Sequence, residues 1–236
     1  MISIVTSYFQ RQELWDRTLS TICDSRIDDW EVVIVDDASV PPLVCDDPRV
    51  KVIRIDPKDK WYHNPCIPYN IGFKEAKGDI IIIQNPECMH MGDVLEYASK
   101  NVKENSYIAF GCYAINKDET DALSVGRELF IGDYVFTTVT GNGWYNHPTH
   151  RPVGYHFCSA ITRKDLKKVG GFDERYANGV AFDDDAFIRS IKRLNIKVSI
   201  PIEPFVVHQF HTHFTYDDPK VWRPLHAINC DLYNRT

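Results

Sequence analysis

Several absences narrow the field before any motif is read. No apolar run in the 236 residues approaches 18, so no stretch reads as a membrane-spanning helix. The first residues lack a basic n-region and a cleavage site, so no signal peptide is expected. No block of Lys and Arg is present, and the formal net charge is -6, which argues against a nucleic-acid partner. No G-x-G-x-x-G follows the first strand-like run, which disfavours a dinucleotide-dependent oxidoreductase. The seven cysteines form no C-x-x-C pair, and their number is odd. That usage fits reduced, mostly buried thiols in a cytoplasmic protein better than a zinc site or a disulfide framework. Repeats, low-complexity tracts and linkers are also missing. At 44% hydrophobic and 25% charged residues the composition is ordinary for a globular protein, and one domain is the economical reading.

What is present alternates strand and helix. ISIVTS (2–7), EVVIV (31–35) and VKVIRI (50–55) read as strands. Residues 12–25 carry Trp15, Leu19 and Ile22 at helical spacing, residues 67–77 read as a helix ended by Gly78, and a further helix runs from about 93 to 105. The four isoleucines of 80–83 form a buried strand that must leave the sheet before Pro86. This alternation predicts an α/β fold with a mainly parallel, doubly wound sheet and its ligand at the carboxyl edge. Further on, YIAFGCYAI (107–115) and FCSAIT (157–162) read as strands. Residues 116–156 read as a long polar, aromatic loop, and a helix starts near Asp183. Short strands are expected over 197–200 and 204–208, and an irregular or helical cover after Pro219.

Polar groups gather at the strand exits. Asp36 and Asp37 follow the second strand and suit either a nucleotide's base or ribose or simple turn formation. Gln84, Asn85 and Glu87 follow the isoleucines: Glu87 would ligate a hard cation, the amides would bond a ribose or phosphate, or the segment is only a turn. Asp183, Asp184 and Asp185 open a helix, where one carboxylate would cap it. Three exceed what capping requires and repel one another unless a cation or proton intervenes. His208 ends an apolar run. His211 and His213 would share a face only if the chain stayed extended, and none of the three has H-E-x-x-H spacing.

Taken in order, ISIVTSYFQR (2–11), VVIVDDAS (32–39), NPCIPYNIGFKEAKGDIIII (64–83), GGFDE (170–174) with the acidic run and Arg189, and VVH (206–208) resemble the nucleotide-sugar-dependent glycosyltransferases of family-2 type. The resemblance covers roughly residues 1–210. It implies a GT-A (Rossmann-like) fold in a single domain, with a nucleotide-binding half of about 1–115 and an acceptor-binding half of about 116–236. It implies nucleotide contacts at Thr6, Tyr8, Arg11, Asp36, Asp37, Asn70, Gln84 and Asn85. A metal site at Glu87 and His208 would take Mn²⁺ or Mg²⁺, and an imidazole ligand favours Mn²⁺. The implied reaction is inverting transfer from a nucleoside-diphosphate sugar, with UDP preferred, to a hydroxyl on a glycan. Asp184 is the favoured base and Asp183 the alternative, because the register against the family motif is ambiguous by one residue.

One departure stands out. The family's Asp-x-Asp is replaced by Gln84-Asn85-Pro86-Glu87, which keeps one carboxylate and exchanges the other for an amide. This predicts a weaker metal site, one completed by His208, or a silent binding module. Within the loop, Trp144, Tyr145, Asn146, His147 and Arg151 are candidates for sugar and acceptor recognition; the other reading is that its aromatics pack the loop onto the sheet. A sugar-nucleotide pyrophosphorylase is disfavoured, because S-Y-F-Q-R-Q-E after the first strand has no glycine to cradle a triphosphate.

Overall fold

The computed structural model describes residues 1–123, 128–212 and 218–236. His213, named above, lies outside them. Among the described residues seven strands make the main sheet, in the order β10-β6-β9-β4-β1-β2-β3. Here β1 is Ile2–Tyr8, β2 Trp30–Asp36, β3 Val50–Arg54, β4 Ile80–Gln84, β6 Ser106–Ala109, β9 Cys158–Thr162 and β10 Lys197–Ser199. The central strands β1, β2 and β4 are parallel, so their carboxyl ends share one edge. Only β9 runs against its neighbours β4 and β6. Val, Ile and Leu side chains from both faces are buried in two separate clusters, one on each side of the sheet. The near-continuous apolar strands follow from burial on both faces.

A smaller four-stranded sheet has the order β5-β11-β7-β8, with β5 Cys88–Met91, β7 Gly111–Ala114, β8 Gly143–Asn146 and β11 Phe205–His208. Two of these strands, β5 and β8, fall in stretches read as turn and loop. The run 107–115 is not one strand. It breaks at buried Phe110, whose N–H donates to the Cys158 carbonyl, and continues as β7 in the second sheet. A continuous apolar run carries no mark of that change of sheet.

Helices cover the sheets: α1 Gln12–Cys23, α2 Cys66–Glu75, α3 Val94–Asn101, α4 Lys117–Leu123, α5 Arg163–Val169, α6 Asp183–Arg193 and α7 Pro219–Arg235. Of these, α4 and α5 are absent from the sequence reading. The start of α5 is nonetheless well specified: the Thr162 hydroxyl caps it by accepting from Asp165 N–H. Gly170, at φ 89°, ends it in the left-handed region that glycine adopts without cost. Gly171, at φ 76°, must also lack a side chain, since a Cβ there would lie 2.5 Å from Asn70 Oδ1. Asn70 accepts from Phe172 N–H and donates to the Phe172 carbonyl and to Glu174, locking α2 to this turn.

Candidate active site

The carboxyl edge of the sheet opens into a cavity of about 590 Å³. Two titratable clusters line it. The first grows from the pairing of β5 with β11, which sets Cys88 opposite His208. Glu87, one residue before Cys88, is thereby held beside the imidazole, and Gln209 fixes it by donating its backbone N–H and its amide to the Glu87 carbonyl. Glu87 Oε1 lies 3.1 Å from His208 Nε2 and 3.3 Å from His211 Nε2. Its other oxygen, Oε2, accepts from Arg11 Nη1 at 2.8 Å. Burial favours the neutral acid, but Arg11 and the two imidazoles outweigh it and hold the carboxyl well below the usual range. For His208 burial wins over Glu87, and the ring is held below its ordinary pKa. One carboxylate oxygen and two imidazole nitrogens, all within 4.8 Å of one another, form a donor set suited to a divalent cation.

The second cluster begins α6. Ala181 and Phe182, at φ 60° and 64°, turn the chain sharply before the helix. Asp183 is buried and accepts from Asn64 Nδ2 at 3.0 Å. Burial and then the neighbouring Asp184 carboxylate push its carboxyl up to about 6. Asp184 is partly exposed and pairs with His156 Nδ1. Burial opposes the charged form of His156, but Asp184 prevails and the ring is held above its ordinary value. His156, Asp183 and Asp184 all line the cavity.

Asp37 lines the same cavity. Its oxygens accept from Tyr62 OH at 2.6 Å and Lys60 Nζ at 2.8 Å, and Lys60 also lies over the Phe9 ring. Asp37, Asn85, Glu87, Tyr145, Asp183, Asp184, His208 and Arg11 therefore share one cavity.

The other sequence candidates lie elsewhere. Asp36 is fully buried, with its carboxylate taken by Ser39 N–H, Leu43 N–H and Arg54. Gln84 bonds His90 and the Cys88 carbonyl within the strand ends. Thr6 and Tyr8 are buried in β1, whereas Ser7 and Phe9 face the cavity. Asn70 is the lock described above. Of the five loop candidates Trp144, Tyr145, Asn146, His147 and Arg151, Tyr145 alone lines the cavity. Trp144 is buried and donates to the Gly132 carbonyl; Asn146 is buried between the Phe110 carbonyl and Gly154 N–H. His147 accepts from the N–H groups of Thr149 and His150, and Arg151 donates to the Tyr145 carbonyl. Sequence reasoning passed over Lys60, Tyr62, His63 and Tyr69, which carry no spacing signal, and His156, the last residue of the loop read over 116–156.

A mainly parallel sheet with carboxylates and imidazoles at its strand exits, closed by an antiparallel strand and a second small sheet, is the GT-A architecture. The family model described as glycosyl transferase family 2 matches residues 3–170, and the chain belongs to that family. Among solved structures, S. aureus TarS is similar at 15% identity with a TM-score of 0.60, over 89% of this chain and 36% of that one. TarS 1-349 in complex with UDP-GlcNAc is similar at 15% identity and TM-score 0.60, over 90% of this chain and 59% of that one. TarS 1-349 in complex with UDP is similar at 15% identity and TM-score 0.59, over 89% and 60%. At that identity the likeness is one of fold, and this chain spans less than two thirds of those proteins. No curated protein shows a significant match to the sequence. Among the described residues no helix is long and apolar enough to cross a membrane.

Proposed function

We propose that the chain transfers a sugar from a nucleoside-diphosphate sugar, with UDP as the favoured nucleotide, to a hydroxyl of a glycan acceptor, with inversion. The observation that carries this reading is that one cavity is lined by both titratable clusters and by Asp37. Its volume of about 590 Å³ suits a nucleotide sugar. The UDP and UDP-GlcNAc complexes of the TarS fold relative support UDP as the nucleotide. In this reading Asp37 with Lys60 faces the nucleoside, and Asn85 faces the ribose or phosphates. The nucleotide-binding half is about 1–115 and the acceptor half about 116–236, within one domain.

Glu87, His208 and His211 would hold the cation, Mn²⁺ in preference to Mg²⁺ because two of the donors are imidazole nitrogens. A cation bound there would neutralise the charge that builds on the leaving diphosphate. Across the cavity, the acceptor oxygen attacks the anomeric carbon. The bond from that carbon to the diphosphate oxygen breaks, its electron pair leaves with the diphosphate, and the acceptor proton passes to a carboxylate. We place that base at Asp183 rather than Asp184. Asp183 is buried in the cavity wall, where burial and the neighbouring carboxylate raise its basicity. Asp184 is paired to His156, and the pair positions the base. Seven free cysteines, four of them buried, suit a reducing, cytoplasmic setting.

A second reading, a silent binding module, draws on Gln84, which stays within the strand ends instead of reaching the cavity. Nucleotide-sugar hydrolysis separates the two. The enzyme releases UDP from a UDP sugar in the presence of Mn²⁺, and Asp183→Asn abolishes transfer while keeping UDP binding. Failure to release UDP from a panel of such donors would favour the silent module.

A further inference from the structure

Glu87 is one carboxylate shared between two imidazoles and a guanidinium. Oε1 is directed at His208 and His211, at 3.1 and 3.3 Å, while Oε2 is held by Arg11 at 2.8 Å. The carboxylate side chain is 1% exposed and the arginine 20%, so little water screens the group. Arg11 uses Nη1 on Glu87 but leaves Nε buried with no hydrogen-bond partner. Its backbone is fixed at the start of α1, with its N–H donated to Tyr8 OH at 3.0 Å. The side chain lies in the wall of the main cavity and also borders a second recess of about 290 Å³, which it shares with His211 and Thr212.

We propose that Arg11 couples cation binding to nucleotide binding: it opposes a divalent cation at Glu87 while the cavity holds no diphosphate, and grips the diphosphate alongside the cation once one arrives. This rests on the metal site proposed above. With Glu87 ionised, the carboxylate and the guanidinium cancel. A dication then leaves the cluster with two uncompensated positive charges in a poorly screened place, and like charges there repel strongly. A nucleoside diphosphate brings the missing negative charge. A planar guanidinium with an unanswered buried donor is matched to phosphate oxygens. Cation alone therefore binds weakly, cation with nucleotide binds well, and each tightens the other by the same factor.

The test titrates Mn²⁺ into the wild type, Arg11→Gln, Arg11→Lys and Glu87→Gln, each with and without UDP, with folding checked by thermal melts. Arg11→Gln is expected to bind Mn²⁺ alone about tenfold more tightly than the wild type. It is also expected to bind UDP less tightly and to show a smaller mutual enhancement. Arg11→Lys keeps the charge and stays near wild type for Mn²⁺, but loses affinity for UDP. An arginine that merely props up Glu87 would do the opposite, since its removal would weaken Mn²⁺ binding. Unchanged or weaker Mn²⁺ binding by Arg11→Gln, while Glu87→Gln loses the ion, overturns the coupling and spares the metal site. Glu87→Gln binding Mn²⁺ as tightly as the wild type instead overturns the metal site and the coupling with it. Should Arg11→Gln not fold, Arg11→Lys decides, and UDP affinity equal to wild type overturns the proposal.

Discussion

Asp183 shows how burial changes what a side chain can do. Its sequence neighbours suggest a helix cap, yet the carboxyl is pushed up to about 6 by burial and Asp184, with His156 and Asn64 opposing. The folded chain therefore holds a proton that the unfolded chain has released between about pH 4 and pH 6. This group's contribution makes stability fall as pH rises through that window and then level off. Asp183→Asn removes the titration, so urea unfolding from pH 4 to pH 7 is expected to show a flatter stability profile than the wild type; an identical slope would contradict the assignment. Gly171 makes a different demand. At φ 76°, with Asn70 Oδ1 2.5 Å from where a Cβ would lie, Gly171→Ala is expected to cost about 2 kcal/mol or more, read as a lower denaturation midpoint. Residue types were legible in the sequence; surroundings were not. Asp36 and Asp37 read as equivalent neighbours. Three structural bonds hold Asp36 away from the cavity, while Asp37 lines it. Glu87 and His208, far apart in sequence, were brought together as a metal pair only by the family resemblance; their side chains lie 3.1 Å apart.

Elements with strong periodicity, β1, β2, β4 and α1, stood out in the sequence. The short elements that build the site did not. The strand β5 is four residues long, lacks clear alternation, and earns its place only by pairing with β11. That pairing sets Glu87 against His208, so the proposed metal cluster depends on the element that was hardest to read. The backbone around the site is also unusual: Gln10, Ala38, Ala181 and Phe182 all have positive φ, and they flank Arg11, Asp37 and Asp183. Non-glycine residues hold such conformations only where surrounding contacts impose them, and no sequence pattern marks them. The contact before Asp183 comes from α7. Asn229, fully buried there, donates to the carbonyls of Tyr176 and Ala181 at 3.0 and 2.9 Å. Asn229→Ala should cost about 1–3 kcal/mol in unfolding free energy. It is also expected to lower kcat while leaving UDP affinity near wild type, because the turn it holds carries the proposed base and not the nucleotide side. A loss confined to UDP affinity would contradict that division. At the other end of the same stretch, Thr162→Ala removes the α5 cap and should lower stability by about 1 kcal/mol, measured by chemical denaturation.

For the whole molecule the governing fact is convergence. Strand exits of β1, β2 and β4 open on one edge, and the small sheet brings His208 to that edge from late in the chain. Two clusters thus line a single cavity; in the proposed function one takes the cation and the leaving diphosphate, the other the acceptor proton. Both clusters have ligand atoms close enough to hold an ion, so the ion's location separates the proposed roles. Anomalous diffraction at the manganese edge, from crystals soaked with Mn²⁺ and UDP, measures that location directly. A peak bounded by Glu87, His208, His211 and the diphosphate is the predicted result. A peak among His156, Asp183 and Asp184, or density for UDP with no manganese near Glu87, would contradict it.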